Sequence, residues 1–430
     1  MTLSITLDNE ARREGLVGEA AARPATWRSL LADREYRALW SAQAVSIAGD
    51  QLARVALTVL VFTGTKSSLL TAAVYAITYL PWIVGGPLLG GLADRFPRRN
   101  IMVGCNIASA LLIAGMAIPK LPLVALCVLL CFAVLLEPLF SSARSALIAD
   151  VLPDDRYVLA SALGNVTTQT GQVAGFALGG ILVSALSPRI ALLIDAATFL
   201  FSAGLLSLRV RRRAAATNGH DASGFAGWRA QLGAGARLVF GDPRLRTLLI
   251  LSWLAAYYIV PEGLAGPYVE HEMHGGSLGV GLLLAAQPAG VVIGGLILSR
   301  LVPPPRRLAL MVPLAAVALC PLVLIGLKPN LGISIALLVV AGLGASYQLV
   351  ANATFVQTVT ADRRGQAYGL AAAGLTAGQG LGIVAAGAVA ELVPPSAVIA
   401  GAGALGLVTL LAVSGAGRRV FASSPSPAVH

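Results

Sequence analysis

Long apolar runs separated by short polar breaks set the pattern of the chain. Windows of about 20 apolar residues, the length of helix that crosses a bilayer, recur at 38–63, 68–92, 100–118, 121–147, 157–184 and 189–208. Six more follow at 246–269, 277–300, 307–327, 331–355, 366–391 and 396–416. The pattern predicts an all-α membrane protein of twelve transmembrane helices. Polar residues interrupt windows 4 and 5 most.

The breaks carry a pattern of their own. With the N-terminus placed in the cytoplasm, the tails and even-numbered loops hold 25 of the 31 Lys and Arg residues. The other loops hold only Lys66, Lys120, Arg189 and Lys328, and Arg54 and Arg144 fall inside windows. Basic residues collect on the cytoplasmic side of membrane proteins, so both termini are expected inside.

The chain also repeats. DREYR (33–37) precedes the first window and DPRLR (242–246) the seventh, VLPDDR (151–156) returns as VTADRR (359–364), and Gly179 maps onto Gly387. Offsets near half the length predict two pseudo-symmetric six-helix bundles, a transporter plan that puts the substrate site between the halves near the midplane. The expected organisation is a cytoplasmic N-terminal tail (1–36), a first bundle (37–208), a linker (209–243), a second bundle (244–417) and a C-terminal tail (418–430). Within the linker, FAGWRAQLGAGARLVF (225–240) spaces Phe225, Trp228, Leu232, Ala236 and Val239 at helical intervals. That helix either lies on the inner leaflet or packs on the bundle.

Composition agrees. Hydrophobic residues reach 57% and charged residues only 12%, against about 45–50% and 25% in soluble domains, and mean hydropathy is +0.79. The net charge of +11 sits in short clusters between apolar runs, without the contiguous basic surface that reads nucleic acid. The cysteines (105, 127, 131 and 320) lie inside apolar segments and match no zinc or redox spacing. No Walker-type phosphate loop occurs, and the N-terminal tail lacks a signal peptide's apolar core.

Residues 90–99 read GGLADRFPRR. This run resembles the signature loop of the major facilitator superfamily, Gly-x-Leu-Ala-Asp-Arg-x-Gly-Arg-Arg/Lys, with Pro97 in place of its glycine. The resemblance implies a cytoplasmic gate of Gly90, Asp94, Arg95, Arg98 and Arg99. Helix 11 starts on the cytoplasmic side, and its positive dipole end is where Asp94 is expected to dock. The matching turn of the second half, GGLILSRLVPPPRR (294–307), has no acid.

Gly-x3-Gly pairs fall on helix 2 (Gly86, Gly90), helix 5 (Gly171, Gly175, Gly179), helix 8 (Gly290, Gly294) and helix 11 (Gly374, Gly378, Gly382). In the family these four helices line the seam between halves, so the glycines are expected there, where small residues let helices approach closely and slide. GQVAGFALGG (171–180) resembles the antiporter motif of the family's drug exporters, with Phe176 in place of proline.

An ionised group at a helix centre costs about 2.5–3.5 kcal/mol to insert, so each requires a reason. Asp50 and Arg54 share a face of helix 1, either as a neutralising pair or as a proton or substrate site. Glu137 precedes Pro138 in helix 4, and Arg144 further along is expected to tie the helix end to Asp150 or Asp154. Asp195 is expected to make a helix contact or cap in helix 6. Glu262 follows Pro261 in helix 7, within a turn of the position equivalent to Asp50. The loop YVEHEMHGG (268–276) is expected to be solvated rather than metal-binding.

LWSAQAVSIAGDQLARVALTVLVFTGT (39–65), LLIDAATF (192–199) and FVQTVTADRRGQAYGL (355–370) are similar to the macrolide-efflux and enterobactin-exporter branch of drug–proton antiporters. The resemblance implies a monomeric secondary transporter of the cytoplasmic membrane. It would export a small organic molecule in exchange for protons, with no enzymatic activity, cofactor or metal, and with membrane lipids around it. Uptake by proton symport is the alternative. Asp50, Arg54, Glu137, Glu262 and Asp195 are the candidates for coupling or substrate contact. Tyr75, Tyr79, Trp82, Trp253, Tyr257, Tyr258 and Gln287 are candidates for lining the cavity.

Overall fold

A computed structural model describes residues 27–79, 96–152, 155–213, 225–360 and 363–422. After a short helix at Trp27–Ala32, the first half comprises α1 (Arg34–Thr65), α2 (Ser68–Ile77), α3 (Arg98–Met116), α4 (Leu123–Val151), α5 (Asp155–Ala185) and α6 (Pro188–Arg209). A linker helix (Phe225–Gly241) leads to α7, which runs in pieces from Pro243 to Met273. Then come α8 (Gly276–Leu301), α9 (Met311–Ile325), α10 (Leu331–Ala345 continued by Tyr347–Thr358), α11 (Arg364–Val389) and α12 (Pro395–Ala422).

Among the described residues, nine helices are long and apolar enough to cross a membrane, and α7 makes a tenth if its bent halves count as one. The two expected windows outside that count have local reasons. Helix α2 is described only from its start, and α5 carries Thr167, Thr168, Gln169, Thr170 and Gln172 in succession or nearly so. Helix α7 bends by 48° between its Pro243–Gly263 and Ala265–Met273 parts. Pro261 and Pro267 lack the N–H that a continuous helix needs, and Gly263 and Gly266 lie beside them.

Local chemistry fixes the helix ends. Asp33 accepts from the backbone N–H groups of Glu35 and Tyr36 (2.9 and 3.1 Å), capping α1, and Ser67 accepts from Leu70 N–H at 3.1 Å, capping α2. Lys66, Lys120 and Lys328 sit in left-handed turns with φ of 54–60°. These three account for most of the basic residues found on the loop face away from the linker: each ends a helix, where a cation suits the negative dipole end.

Helix α1 packs on α5 and α6, and α3 on α4 and α6; α8 packs on α10, and α9 on α10 and α12. The halves meet through α5 with α8 and α2 with α11. The end carrying the linker is called the linker end, and the opposite one the far end.

The glycine stripes do not lie at the seam. A Cβ on Gly171, Gly175 or Gly179 would meet Ile47, Ala48 and Val55 of α1 at 2.6–3.0 Å. Gly290 and Gly294 face α10, and Gly374, Gly378 and Gly382 face Trp253 and Ala256 of α7. Every one of these partners belongs to the glycine's own half. Residues four apart share one helix face, and in α5, α8 and α11 that face is turned inward to the home bundle. The seam uses other glycines: Gly180 against Gly281 (α5–α8) and Gly387 against Ala72 (α11–α2). Gly86 and Gly90 lie outside the described residues.

The linker helix packs on the bundle rather than standing apart from it. Val239 is fully buried, and a Cβ on Gly235 would lie 2.5 Å from the Gln366 carbonyl of α11. At the linker's start, Arg213 forms a two-pronged ion pair with Glu35 of α1 (2.5 and 3.0 Å).

Candidate functional site

A cavity of about 310 Å³ opens among α1, α3, α4, α5 and α6. Asp50, Arg54 and Glu137 line it, and a smaller void of about 50 Å³ beneath them adds Asp195. The stripe Gln43, Ser46, Asp50 and Arg54, with Ile47 and Gln51 beside it, is α1's contribution. Spacings of three and four place these side chains on one helical face, and that face looks into the cavity. Neutral residues of the stripe, with Gln51, were legible as a 3.6-residue polar period in an otherwise apolar run.

Asp50 and Arg54 do not close to ion-pair distance; among the described residues the ion pairs are Arg98–Asp150 and Arg213–Glu35. The simple neutralising pair is therefore replaced by a wider cluster. Arg54 is within electrostatic range of Asp50, Glu137, Tyr75 and Tyr79. It also borders the main cavity, the void beneath it and a third small void beside Tyr75.

Asp195 makes the helix contact expected of it and also joins this cluster. It is fully buried, accepts from Thr198 Oγ1 at 3.2 Å, and keeps Oδ2 without a partner. Its carboxyl fits because α1 has glycine at position 49: a Cβ there would collide with Asp195 Oδ1 and Thr198 Oγ1. Nothing in sequence spacing marks Gly49, since its partner lies on another helix.

Glu262 enters from the second half. Tyr75 Oη of α2 donates to Glu262 Oε2 at 2.6 Å, a hydrogen bond that crosses the seam. Tyr79 leans on Tyr75 with ring centroids 6.3 Å apart. Around them Ala72, Ala76, Ile259 and Ile383 form an apolar plug drawn from both halves.

The rest of the expected aromatic lining is packed elsewhere. Trp253 donates to the Ala371 carbonyl at 3.1 Å, Tyr257 bonds Thr409 at 3.1 Å, and Tyr258 accepts from Gln348 at 3.0 Å. Gln287 is buried against Gly342 with Oε1 unpartnered. These four are core of the second half, and in the three aromatic ones the ring fills space while the polar tip finds a partner. Trp82 lies outside the described residues, as do Gly90, Asp94 and Arg95 of the signature loop. The loop's last two arginines brace the first half: Arg98 pairs with Asp150 of α4, and Arg99 donates to the Leu206 and Ser207 carbonyls ending α6.

That pairing leaves Asp150 engaged, so of the two acids expected to hold Arg144 this one does not; the other, Asp154, lies outside the described residues. Arg144 lines the main cavity instead, with Nε buried and unpartnered.

A seal at the far end was not anticipated. Glu391, in the loop between α11 and α12, accepts from Ser67 Oγ (2.7 Å) and Leu69 N–H (2.8 Å) at the start of α2. These bonds hold its carboxyl below the usual range, the Leu69 N–H first and the Ser67 hydroxyl next. Phe62 of α1 meets His271 edge-on at 5.0 Å. The stretch 268–276, expected to be a solvated loop, instead continues α7 to Met273 with Tyr268 and Val269 buried, and there Glu272 accepts from Ser396 N–H at 2.8 Å, capping α12. Among the described residues, no three His, Cys, Asp or Glu side chains converge as a metal site.

The sequence profile of the Major Facilitator Superfamily matches residues 39–360 and 263–428. The chain belongs to the major facilitator superfamily. It is thus a multi-pass membrane protein of the transporter fold. Two uncharacterized MFS-type transporters of Bacillus subtilis (strain 168), YfmI and YfiS, are 29% and 31% identical over 177 and 169 residues, 38% and 39% of this chain. The matched stretch spans 40% of the length of each. Macrolide efflux protein A of Streptococcus pyogenes is 19% identical over 359 residues, 81% of this chain and 88% of that protein. In fold, the nucleoside transporter NupG superposes with a TM-score of 0.67 at 16% identity, covering 88% of this chain and 99% of NupG. The POT family transporter PepTSo superposes at 0.70 and 12% identity, covering 93% and 100%.

Proposed function

We propose that this transporter exports a small amphipathic organic molecule across the cytoplasmic membrane in exchange for protons. One observation carries the reading: three acids from α1, α4 and α6 gather around Arg54 on one cavity, and Glu262 reaches the same region across the seam through Tyr75. Buried carboxyls in a membrane mark ion and proton pathways. A carboxyl that can hold either a proton or a substrate cation exchanges one for the other as the halves rock. The likeness to macrolide efflux protein A and the excess of Lys and Arg at the linker end support export and a cytoplasmic linker.

In this reading the far end faces outward, sealed by Glu391, by Gly180 on Gly281 and by Gly387 on Ala72. The substrate enters from the linker end. Asp94, Arg95 and Gly90, with Arg98 and Arg99, form the opposing gate that closes when the far end opens. One charge moving inward per cycle supplies about 2.3 kcal/mol per 100 mV, enough for roughly 50-fold accumulation outside.

Cells overproducing the protein should retain less erythromycin, the first probe, than cells with an empty vector, and a protonophore should abolish the difference. Raised retention would mark uptake by symport and reject export.

A further inference from the structure

We infer that Arg144 reads an anionic group on the transported molecule, so that a zwitterion, with a carboxylate at Arg144 and a cation toward Asp50 and Glu137, is held more tightly than a cation alone. The inference deepens the exporter reading and rests on it for the word "transported"; the binding site itself stands on geometry. Arg144 is half-buried, and its Nε is out of contact with solvent and makes no hydrogen bond. Of the two acids expected to neutralise it, Asp150 is held by Arg98 and Asp154 lies outside the described residues. Tyr36, within electrostatic range, spends its hydroxyl on the Ala160 carbonyl at 3.3 Å. No carboxylate among the described residues lies within ion-pair distance of the guanidinium.

Desolvating part of a guanidinium without a partner is costly, and its orphaned buried Nε calls for a ligand or water. Arg144 has company in this respect. Gln43 Oε1, also buried, lacks a partner, and Gln43, Thr168 and Gln172 line the same cavity. Thr168 Oγ1 donates to the Gly164 carbonyl, so the donors beside Arg144 suited to a carboxylate are the side-chain amide N–H groups of Gln43 and Gln172, and the fork of an arginine matches its two oxygens.

Glu137 lies seven residues before Arg144 on the same helix, about 10 Å along its axis, and Asp50 borders the same space. The cavity is bipolar: acids outnumber Arg54 at one end, and a lone guanidinium marks the other. A molecule with an amine and a carboxylate separated by about 10 Å would neutralise both ends at once.

The test is calorimetric binding to the purified full-length protein in detergent, with ω-aminooctanoate, octylamine and octanoate as probes. Wild type should bind ω-aminooctanoate about tenfold more tightly than octylamine, the lower range for a buried charge-assisted hydrogen bond. Arg144→Gln should abolish that preference while still binding octylamine at least as tightly as wild type, Arg144→Lys should keep part of it, and Gln172→Leu should reduce it a few-fold. A folded Arg144→Gln protein that keeps the preference, or a wild type that shows none, overturns the inference. If Arg144→Gln does not elute as a monodisperse protein, Arg144→Lys and Gln172→Leu decide by the same criterion. No gradient is involved, so failure to export refutes the transport direction and leaves this result standing.

Discussion

Replacing Tyr75 by Phe removes one hydroxyl and nothing else, and that hydroxyl makes the 2.6 Å bond to Glu262 across the seam. A hydrogen bond to a carboxylate contributes about 1–3 kcal/mol. The bond joins the halves while the far end is sealed, so its loss should shift the balance toward the far-open state by about 5- to 150-fold. Ala72, fully buried against Gly387, provides the reporter. With the four native cysteines replaced, Ala72→Cys should react slowly with a membrane-impermeant maleimide. Adding Tyr75→Phe should accelerate labelling by the stated factor as long as opening is faster than reaction. Tyr257→Phe is the control, because its hydroxyl bonds Thr409 inside one half, and it should change nothing. Labelling within twofold of the parent in Tyr75→Phe, or equal acceleration in both variants, would refute the role given to this bond.

Three further outcomes follow from the same geometry. Glu391→Gln should loosen the far-end seal by about 1 kcal/mol or less, since the pair is exposed, and Ala72→Cys labelling should rise by up to about fivefold. Because Glu391's carboxyl is held low in the sealed state, its contribution is complete above the ordinary glutamate range and fades as pH falls through the sealed-state value; labelling should accelerate on acidification in wild type and less so in Glu391→Gln. Gly281→Leu should leave each half folded yet block sealing at the far end, trapping the reporter in its reactive form. Gly175→Leu instead drives a side chain into the Ala48 backbone of α1, an overpacking cost of about 1–3 kcal/mol or more, and should lower thermal stability in detergent without favouring either state.

Much of the architecture was legible because its cause is one-dimensional. A bilayer demands a run of about 20 apolar residues, and such runs show without any knowledge of neighbours. Asp50, Glu137 and Asp195 were legible for a similar reason, since each interrupts such a run. Partnership was not legible. The Gly171, Gly175 and Gly179 stripe announces close packing but not against what, and the answer, α1, depends on which way α5 is rotated. Proximity along the chain offers Arg144 both Asp150 and Asp154, but in space Arg98 of α3 takes Asp150. Trp253, Tyr257 and Tyr258 look like ligand stackers from composition; their polar tips find a backbone carbonyl, a hydroxyl and a side-chain amide in the second half. Glu391 sits in a loop with no pattern at all, and its role comes entirely from the start of α2 lying beneath it.

Proton-driven transport in proteoliposomes bears most directly on the Arg54-centred cluster. Radiolabelled erythromycin movement under an imposed pH gradient should be lost in Asp50→Asn, Glu137→Gln and Glu262→Gln, while exchange of labelled for unlabelled erythromycin without a gradient persists in at least one of them. Wild-type gradient-driven rates in all three variants would contradict the account.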